Sequence, residues 1–330
     1  MMNDLTLYNP FQQLAIIQDN CFLCGRPVNP TEVIPIFPDW LMAKYNLAKQ
    51  EILLLDKSIL TYAELTLPCC ANCQHQHLAP LEEQVQAVAA EGLTGWQQLD
   101  EKVIFRWLGK IFYGLLVREI KAEQDPLLQP QFVLTEDIYM LDKMQSFFKV
   151  LQSIRVPMVF PDFIPCSVFV VPLQPDAGSA AFEFRDDLYT MMISLKMDDT
   201  LLVCCLLDNG IIKEALQQRL WHPLAGKALH PKQAAEFLAQ VYYAAYLLNV
   251  IPEYFVRSVK PGDQALVVDT LIDDITASVF NPWQLSGYTH MFEEMLKRWG
   301  ITETEILKNP QQPLSFLFDA AGSFKEMQAD

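Results

Sequence analysis

The chain contains no apolar run that approaches the length of a membrane helix. Its longest such runs, as in Leu201 to Leu207, are far shorter than the ~20 residues needed to cross a bilayer. The first residues, MMNDLTLYNPF, have no basic stretch followed by an apolar one, as a secretory signal peptide would. From these absences we expect a cytoplasmic protein with no membrane partner.

Positive charge is scarce. The sequence has 24 Lys and Arg against 40 Asp and Glu, which gives a formal net charge of −16. An acidic protein repels nucleic acid at long range, and most nonspecific binding to DNA is electrostatic. Residues 1–80 follow the same balance, with four basic and seven acidic residues. A nucleic-acid partner is therefore disfavoured and would require a local basic patch or a protein partner.

Several motifs of common enzyme classes are also missing. The sequence has no G-x-x-x-x-G-K-[ST], no G-x-G-x-x-G, no G-x-S-x-G and no internal repeat. Apolar residues nevertheless make up 51% of the 330 residues and charged residues 19%, which is typical of a folded, core-rich protein. This length is enough for two or three domains.

Two cysteine pairs stand out near the N-terminus. They are Cys21-x-x-Cys24 and Cys70-x-x-Cys73, and they account for four of the eight cysteines. In a chain expected to be cytosolic, such pairs indicate metal binding rather than disulfides. Two pairs complete the four thiolate ligands of a tetrahedral zinc ion, and Gly25 suits the sharp turn after the first pair. The sequence predicts a structural zinc site.

One ligand of this site is ambiguous. Cys69 precedes Cys70 and could ligate with Cys73 at the wider Cys-x3-Cys spacing, although the x2 spacing is preferred. His75 and His77 lie close behind and could in principle replace a sulfur.

The segments around the pairs have clear local patterns. Residues 38–49 predict a short helix that begins at Pro38, with Trp40 and Leu41 pointing inward. Residues 51–67 predict a β-hairpin, and residues 79–91 predict a helix after the second pair.

With these elements in place, the N-terminal segment resembles a treble-clef zinc domain of the HNH endonuclease type. The residues that carry the resemblance are Cys21 to Gly25, Thr31 to Pro35 with Trp40 and Leu41, and Pro68 to Gln74 with Leu81 and Glu82. The resemblance implies a treble-clef fold. It also implies, for active members, a general-base His, an orienting Asn and a late His that binds a catalytic divalent metal.

The catalytic positions depart from that pattern. Val33 stands where the base is expected and Gln74 stands at the Asn position, while Glu32 is kept. A Val side chain cannot accept a proton, and loss of such a base costs a factor of ~10²–10⁴. We therefore expect a zinc-stabilised, noncatalytic scaffold or interaction protein with a protein partner, in a bacterial complex for nucleic-acid handling or phage defence. The alternative is an active nuclease with a rearranged site of Glu32, His75 and His77 that uses Mg²⁺ or Mn²⁺.

Residues 101–121 predict an amphipathic helix whose Arg106, Lys110 and Tyr113 share a face. Two interpretations remain open for that face: a small patch that contacts nucleic-acid phosphates through Arg106 and Lys110, or an ordinary solvated helix face. Gly109 and Gly114 are costly in a helix interior and predict a close approach of another backbone. A second helix is predicted over 135–154, capped by Thr135.

The sequence after residue 154 predicts short strands and helices. Strands are predicted at 167–173, 181–184, 191–197 and 201–207, joined as an antiparallel meander with Cys166, Cys204 and Cys205 in the core. His230 predicts the cap of a helix to about Asn249. His290, Glu293 and Glu294 predict a solvated helix face, although their spacing could supply metal ligands. Stretches of this region resemble the bodies of bacterial proteins that carry such a zinc domain at the N-terminus, and that resemblance implies no chemistry.

The predicted fold class is α+β. The predicted domains are a treble-clef zinc domain over 1–90, a helical connector over 91–155, and an α+β domain over 156–330 in which helices pack on an antiparallel sheet. A further interpretation, an enzyme site in this last domain, would require a deep pocket lined by Asp186, Asp187 or His230.

Overall fold

The computed structural model describes residues 5–12, 16, 19–54, 57–123, 134–175, 178, 180–271, 278–309 and 311–327. The chain forms two compact units. The first contains Met1–Glu91, Gln98–Pro165 and Pro252–Leu271, and the second contains Gly92–Gln97, Cys166–Ile251 and Ile272–Asp330. In the described residues, every helix is too short or too polar to cross a membrane.

In chain order, the strands are β1 (Val33–Pro35), β2 (Glu51–Leu53), β3 (Ile59–Thr61), β4 (Thr66–Pro68), β5 (Met158–Val159), β6 (Ser167–Pro172), β7 (Phe182–Asp187), β8 (Met192–Met197), β9 (Thr200–Cys205), β10 (Glu253–Val256) and β11 (Leu266–Leu271). The α-helices are α1 (Asp39–Tyr45), α2 (Ala71–Cys73), α3 (Ala79–Ala90), α4 (Leu93–Gln98), α5 (Glu101–Ala122), α6 (Ile138–Leu151), α7 (Ile211–Leu216), α8 (Pro231–Leu247), α9 (Leu285–Leu296) and α10 (Glu303–Ile306). The mixed helix and sheet content agrees with the predicted class.

In the first unit, a loop over 19–28 lies against the start of α2. The loop closes on itself through the bridge between Asn20 and Pro27 and the hydrogen bond from Val28 N to Asp19 O, 3.1 Å. β1 and β4 pair antiparallel with Val33 opposite Pro68, and Phe22 N donates to Pro68 O at 2.9 Å. This pairing brings the loop and the segment after β4 together.

The local predictions around the cysteines are confirmed with one change. Helix α1 falls inside 38–49 and buries Leu41, and β2 pairs with β3 as a hairpin. Residues 55–56 of the predicted hairpin lie outside the described residues. The last part of the predicted hairpin, however, forms β4 and pairs with β1, because the β2–β3 pairing ends at Thr61.

Helix α5 is confirmed, but its predicted solvated face is wrong. The helix is buried on almost every side, and the side chains of both Lys110 and Tyr113 are buried. Gly109 and Gly114 do accommodate close neighbours, but these neighbours are the side chains of Leu151 and Ile36 rather than another backbone. A Cβ at either glycine would lie only 2.8 Å from these side chains, so glycine leaves room for them to pack against the helix.

Helix α6 begins later than predicted. Asp137, not Thr135, is its cap, and its Oδ1 accepts hydrogen bonds from Tyr139 N at 2.9 Å and Met140 N at 3.2 Å. Strands β10, β11 and β5 form a small sheet in the same unit, with β11 parallel to β5. The first unit therefore combines the cysteine-rich segment with α5 and α6, which were predicted as part of a connector, and with residues 252–271.

The second unit contains an antiparallel sheet with the strand order β6-β9-β8-β7. The predicted strands and their antiparallel pairing are confirmed, but β6 pairs with β9 rather than with its neighbour in sequence, β7. Cys166, Cys204 and Cys205 are buried, as expected. Helix α8 is capped by His230, whose Nδ1 accepts from Lys232 N at 3.2 Å, while Gln233 Oε1 accepts from His230 N at 2.9 Å.

Candidate metal centre

Four cysteine sulfurs converge in the first unit. The Sγ atoms of Cys21, Cys24, Cys70 and Cys73 all lie within 4.8 Å of one another. The Sγ atoms of Cys24 and Cys70 are 3.8 Å apart. A tetrahedral zinc ion with Zn–S bonds of ~2.3 Å requires sulfurs separated by about 3.8 Å. The donor set, its number and its spacing therefore fit a zinc ion with four thiolate ligands.

The first two sulfurs come from a tight turn. Gly25 N donates to Cys21 O at 2.8 Å, and Gly25 has a φ of +75°. A Cβ at this position would lie 2.4 Å from Cε2 of Tyr8, so the turn needs glycine for both its backbone and its neighbour.

The other two sulfurs come from a helix start. Cys70 is the cap of α2 and Cys73 is the last residue of that short helix. Gln74 N donates to Cys70 O at 3.0 Å, and this places the two side chains one helical turn apart on the same side.

Cys69 is not part of the converging group. It is buried, and its Sγ lies 3.7 Å from Cys70 O. The pKa of its thiol is raised, first because it donates a hydrogen bond to Cys21 and second because of burial. The geometry therefore favours Cys70 over Cys69 as the fourth ligand.

Hydrogen bonds among the converging thiols shift their pKa values in opposite directions. The pKa of Cys21 is lowered because it accepts hydrogen bonds from Cys24, Cys69 and Cys73. The pKa of Cys73 is raised because it donates to Cys21 and Cys24, and the pKa of Cys24 is raised by its hydrogen bond with Cys21. Cys21 is therefore favoured as a thiolate by hydrogen bonds that keep Cys24 and Cys73 protonated. A bound divalent cation removes this restriction, because a coordinating thiol is deprotonated outright.

Arg26 adds positive charge beside the sulfurs. Its Nη2 lies 3.1 Å from Cys70 Sγ. The pKa of the guanidinium is raised by its hydrogen bonds to Cys24 and Cys70. An N–H donor on a thiolate ligand partly offsets the net negative charge of a four-thiolate zinc centre.

The residues proposed for a rearranged nuclease site do not converge with one another. Glu32 Oε2 accepts from Asn29 N at 2.9 Å and from Asn29 Nδ2 at 3.1 Å. His75 is exposed and His77 is half-buried, in a π-helical turn over 74–78. Among the described residues, the groups of three or more close metal-ligating side chains are the four cysteines and one other cluster, and neither contains Glu32, His75 or His77.

That other cluster lies in the second unit. His290, Glu293 and Glu303 present atoms within 4.8 Å of one another, with α10 supplying Glu303. His290 Nδ1 is 3.3 Å from Glu303 Oε1, and Glu303 N donates to Glu293 Oε1 at 3.1 Å. Glu294 pairs instead with Lys297 at 2.8 Å. Since the His290 side chain is 70% exposed, these contacts are those of a solvated helix face, as expected.

The two predicted phosphate contacts occupy different environments. Lys110 is 2% exposed, and its Nζ donates to Ile36 O at 2.9 Å and to Glu82 Oε1 at 3.0 Å. This burial leaves Lys110 no surface for a phosphate group. Arg106 is half-buried and donates from Nε to Lys102 O at 3.1 Å. A nucleic-acid contact therefore stays a prediction for Arg106.

Arg106 lines a cleft of about 930 Å³ beside the cysteine centre. Sequence analysis named Cys24, Cys73, His77 and Arg106 but missed the other polar lining residues, because they come from distant parts of the chain. Arg26, two residues after Cys24, was the one with a local signal. The lining residues are Thr6, Leu7, Tyr8, Cys24, Arg26, Asn72, Cys73, His77, Arg106, Ser153, Ile154, Arg155 and Pro157.

The second unit has a cavity of about 490 Å³ between one face of the sheet and helices α8 and α9. Its described lining does not include Asp186, Asp187 or His230, so the feature that would indicate an enzyme site there was not found. His230 acts as a helix cap.

Comparison with protein-family models, with curated proteins and with solved structures gave no match in any of the three. What the chain does show is a four-cysteine cluster with the geometry of a metal site in a mixed α/β protein.

Proposed function

We propose that the first unit contains a treble-clef zinc domain related to HNH endonucleases, that it no longer cleaves nucleic acid, and that it serves as a scaffold for a protein partner. The observation that carries this proposal is the contrast between two sets of residues. The four thiols converge within 4.8 Å, whereas Glu32, His75 and His77 form no such group.

The order of elements supports the treble-clef part. A closed turn over 19–28 supplies two thiols, a strand pair and a hairpin follow, and a helix start supplies the other two. A structural zinc ion bound in this way contributes directly to folding, because its ligands join two segments that are distant in sequence.

Two features support the loss of catalysis. Val33 occupies the expected base position on β1 and is 41% exposed, so a hydrocarbon faces solvent where a proton acceptor is required. A zinc ion with four thiolate ligands also has no open position for a water or a substrate. The thiolate centre therefore holds structure, and a catalytic metal would need the separate histidine site, for which the described residues show no converging group.

An exposed apolar pair supports the role as a scaffold. Leu53 and Ile59 lie opposite each other in the β2–β3 hairpin and are 67% and 59% exposed. Large apolar side chains that face solvent together are common at protein–protein contacts. A partner in a bacterial complex for nucleic-acid handling or phage defence would fit the resemblance and the net charge of −16.

Metal analysis tests the zinc part. Protein purified without added metal should contain about one zinc ion per chain, as measured by inductively coupled plasma mass spectrometry. Cys73→Ser should lose that zinc, whereas Cys204→Ser, which changes a buried cysteine of the second unit, should keep it. Wild-type protein without zinc, or equal zinc in both variants, would contradict the proposal.

A cleavage assay tests the loss of catalysis. Single- and double-stranded DNA and RNA should remain intact with the zinc-loaded protein in the presence of Mg²⁺, Mn²⁺ or Ni²⁺. Cleavage that disappears in a His77→Ala or His75→Ala variant with unchanged zinc would overturn the noncatalytic part.

One observation favours the alternative, an active nuclease. The pKa of His77 is lowered by burial and by the nearby Arg155, so its imidazole is neutral at pH 7 and able to accept a proton. It also lines the arginine-containing cleft. For such a site, His77→Ala should abolish cleavage, while His222→Ala, which changes an exposed histidine of the second unit, should serve as its matched control.

A further inference from the structure

The cavity of the second unit lies against the part of the sheet where one face changes from apolar to charged. Lys196 of β8 is opposite Leu201 of β9 and Glu183 of β7, so the three side chains share that face. Leu201 is buried, Lys196 is half-buried and Glu183 is exposed. All three line the cavity, which therefore has an apolar inner end and a charged mouth.

Small residues of helix α8 leave this space open. Four residues of the helix line the cavity at the spacing i, i+3, i+4 and i+7, which places them on one helix face: Pro231, Ala234, Ala235 and Leu238. The side chains of Ala234 and Ala235 end at Cβ and do not reach across to the sheet. Further along the same face the larger Tyr242 does reach it, with its hydroxyl 3.2 Å from Ser194 Oγ.

Helix α9 and the turn after it supply the remaining wall. Met295 of α9 is buried and Trp299 is half-buried, and both line the cavity. The inner end is therefore apolar on the side of the sheet and on the sides of both helices. A cavity of about 490 Å³ with such a lining is in the size range of small-molecule sites.

The hydroxyl groups at the inner wall already have partners within the protein. Ser194 is buried, and its Oγ lies 3.5 Å from Arg185 O as well as 3.2 Å from the Tyr242 hydroxyl. Tyr242 in turn donates to Arg185 O at 3.2 Å. This wall can accept an apolar ligand without leaving a buried hydroxyl unsatisfied.

Ion pairs hold charged side chains at the mouth. Glu183 Oε1 lies 3.2 Å from Lys196 Nζ and 3.1 Å from Arg298 Nη1. Lys196 Nζ also donates to Ala180 O at 2.7 Å. A ligand carboxylate or ammonium would have to displace a partner that is already in place.

The other charged side chains of the described lining are of both signs. Glu294 Oε2 lies 2.8 Å from Lys297 Nζ, and Arg185 and Asp198 add one charge of each sign. The mouth therefore does not select an ion of one sign. A charged group that passed the mouth would enter the apolar inner end without a partner, which is costly.

We propose that this cavity binds a small, uncharged and mainly apolar molecule. Its apolar body contacts Leu201, Ala235 and Met295, and a polar end, where it has one, lies at the mouth. The driving force is the removal of apolar surface from water on both partners. This site is independent of the cysteine centre, since every described lining residue belongs to the second unit.

The test is a fluorescence titration of the full-length protein with N-phenyl-1-naphthylamine, an uncharged aromatic dye that brightens in apolar surroundings. The dye should bind saturably with one site per chain at concentrations below about 100 μM. Competition with 1-octanol and with octanoate then compares an uncharged and an anionic end on the same apolar chain. Octanol should displace the dye at a concentration at least about tenfold lower than octanoate does, because only octanoate carries a charge.

Variants that fill the cavity place the dye in it. Ala235→Leu extends a side chain from α8 into the space and should weaken dye binding by about tenfold or more. Ala215→Leu is the matched control, because it makes the same substitution at an exposed position of helix α7 outside the described lining, and it should leave the affinity unchanged. Leu238→Trp is a second filling variant, at a half-buried position that tolerates a larger side chain more readily, and it should also weaken binding. Circular dichroism and a cooperative melting transition show that each variant is folded.

Three outcomes would overturn the proposal. They are no saturable binding of the dye to the wild-type protein, wild-type affinity in a folded Ala235→Leu or Leu238→Trp variant, and displacement by octanoate at the same or a lower concentration than octanol. Zinc content and nucleic-acid cleavage are measured separately, so failure here is distinguishable from failure of the proposed function.

Discussion

Lys110 and Glu82 form an ion pair inside the first unit, with Nζ 3.0 Å from Oε1. The lysine side chain is 3% exposed and the glutamate side chain 20%. Glu82 Oε2 also accepts from the indole nitrogens of Trp107 at 3.0 Å and Trp40 at 3.3 Å, and the two indoles stack. This carboxylate therefore connects α1, α3 and α5 around one buried charge.

Removal of one member of this pair should be costly. Lys110→Met leaves the Glu82 carboxylate without its cation, and we expect a loss of about 3 kcal/mol in the free energy of unfolding. Lys110→Met combined with Glu82→Leu should cost less than the sum of the single changes, because the two residues are coupled. Urea unfolding followed by tryptophan fluorescence measures both. Lys297→Met, which removes an exposed lysine paired with Glu294, is the control and should change stability by less than ~0.5 kcal/mol.

The Lys110–Glu82 pair is a contact that could not be predicted from the sequence. The Cys-x-x-Cys spacing, the period of α5 and the cap of α8 are local signals, so the four-cysteine cluster, that helix and the capping role of His230 could be predicted. Nothing local indicates that Lys110 faces Glu82, because the two residues lie on different helices and meet only after packing. The polar face predicted for α5 was wrong for this reason.

The arginine cleft was missed for a similar reason. Arg26, Arg106 and Arg155 come from a turn, a helix and the end of another helix. Arg106 was predicted as a phosphate contact, but nothing local indicates that the three residues line one cleft. The β6–β9 pairing shows the same limit, since the alternation of apolar residues predicts strands but does not select a partner.

Substitution of alanine for the two glycines of α5 should lower stability by different amounts. A Cβ at Gly114 would lie 2.8 Å from Cγ1 and 2.9 Å from Cγ2 of Ile36, a stiff, fully buried β-branched side chain. A Cβ at Gly109 would meet mainly the terminal Cδ1 of Leu151. Gly114→Ala should therefore destabilise the protein by about 1–2 kcal/mol despite the gain in helix propensity, and Gly109→Ala should cost clearly less. Thermal unfolding of the two variants makes the comparison. Equal costs would contradict this packing argument.

Removal of the metal should destabilise the first unit. Zinc binding is coupled to folding in small thiolate domains. We expect a strong chelator to lower the melting temperature by roughly 10 °C or more, which corresponds to several kcal/mol for a unit of this size. Cys73→Ser should mimic the chelator. Cys69→Ser should retain zinc and melt near the wild type, and a variant that instead loses zinc would make Cys69 the ligand.

The C-terminal segment should depend on one carboxylate. Glu236 accepts from Ser315 Oγ at 2.7 Å, from Leu317 N at 2.9 Å and from Phe316 N, and Leu317 is fully buried. Glu236→Ala leaves these donors unsatisfied, and we expect a loss of about 2–3 kcal/mol. Hydrogen exchange at Phe316 and Leu317 should accelerate with it. Glu236→Gln is the control, because its carbonyl can still accept the two N–H groups while its NH₂ faces the Ser315 hydroxyl.

Asp208 should make the second unit less stable as pH rises. Burial raises the pKa of this carboxyl to about 6, against the opposing hydrogen bonds from Ser167 Oγ at 2.6 Å and Ile212 N at 2.9 Å. In the unfolded chain the pKa is near 3.8. Between these two values the folded state holds the proton that the unfolded state has released, so the contribution of Asp208 to stability is present near pH 4 and is lost as pH rises to about 6.

A shift of about 2 pKa units corresponds to about 3 kcal/mol, since each unit is 1.36 kcal/mol. Asp208→Asn keeps a side-chain oxygen as acceptor and cannot titrate. The difference in unfolding free energy, wild type minus variant, should therefore fall by about 2–3 kcal/mol between pH 4 and pH 7. Urea unfolding of both proteins across this range, with zinc held constant, gives the curve. A difference that stays flat with pH would mean that Asp208 is ionised in the folded protein throughout, and that the hydrogen bonds from Ser167 and Ile212 outweigh its burial.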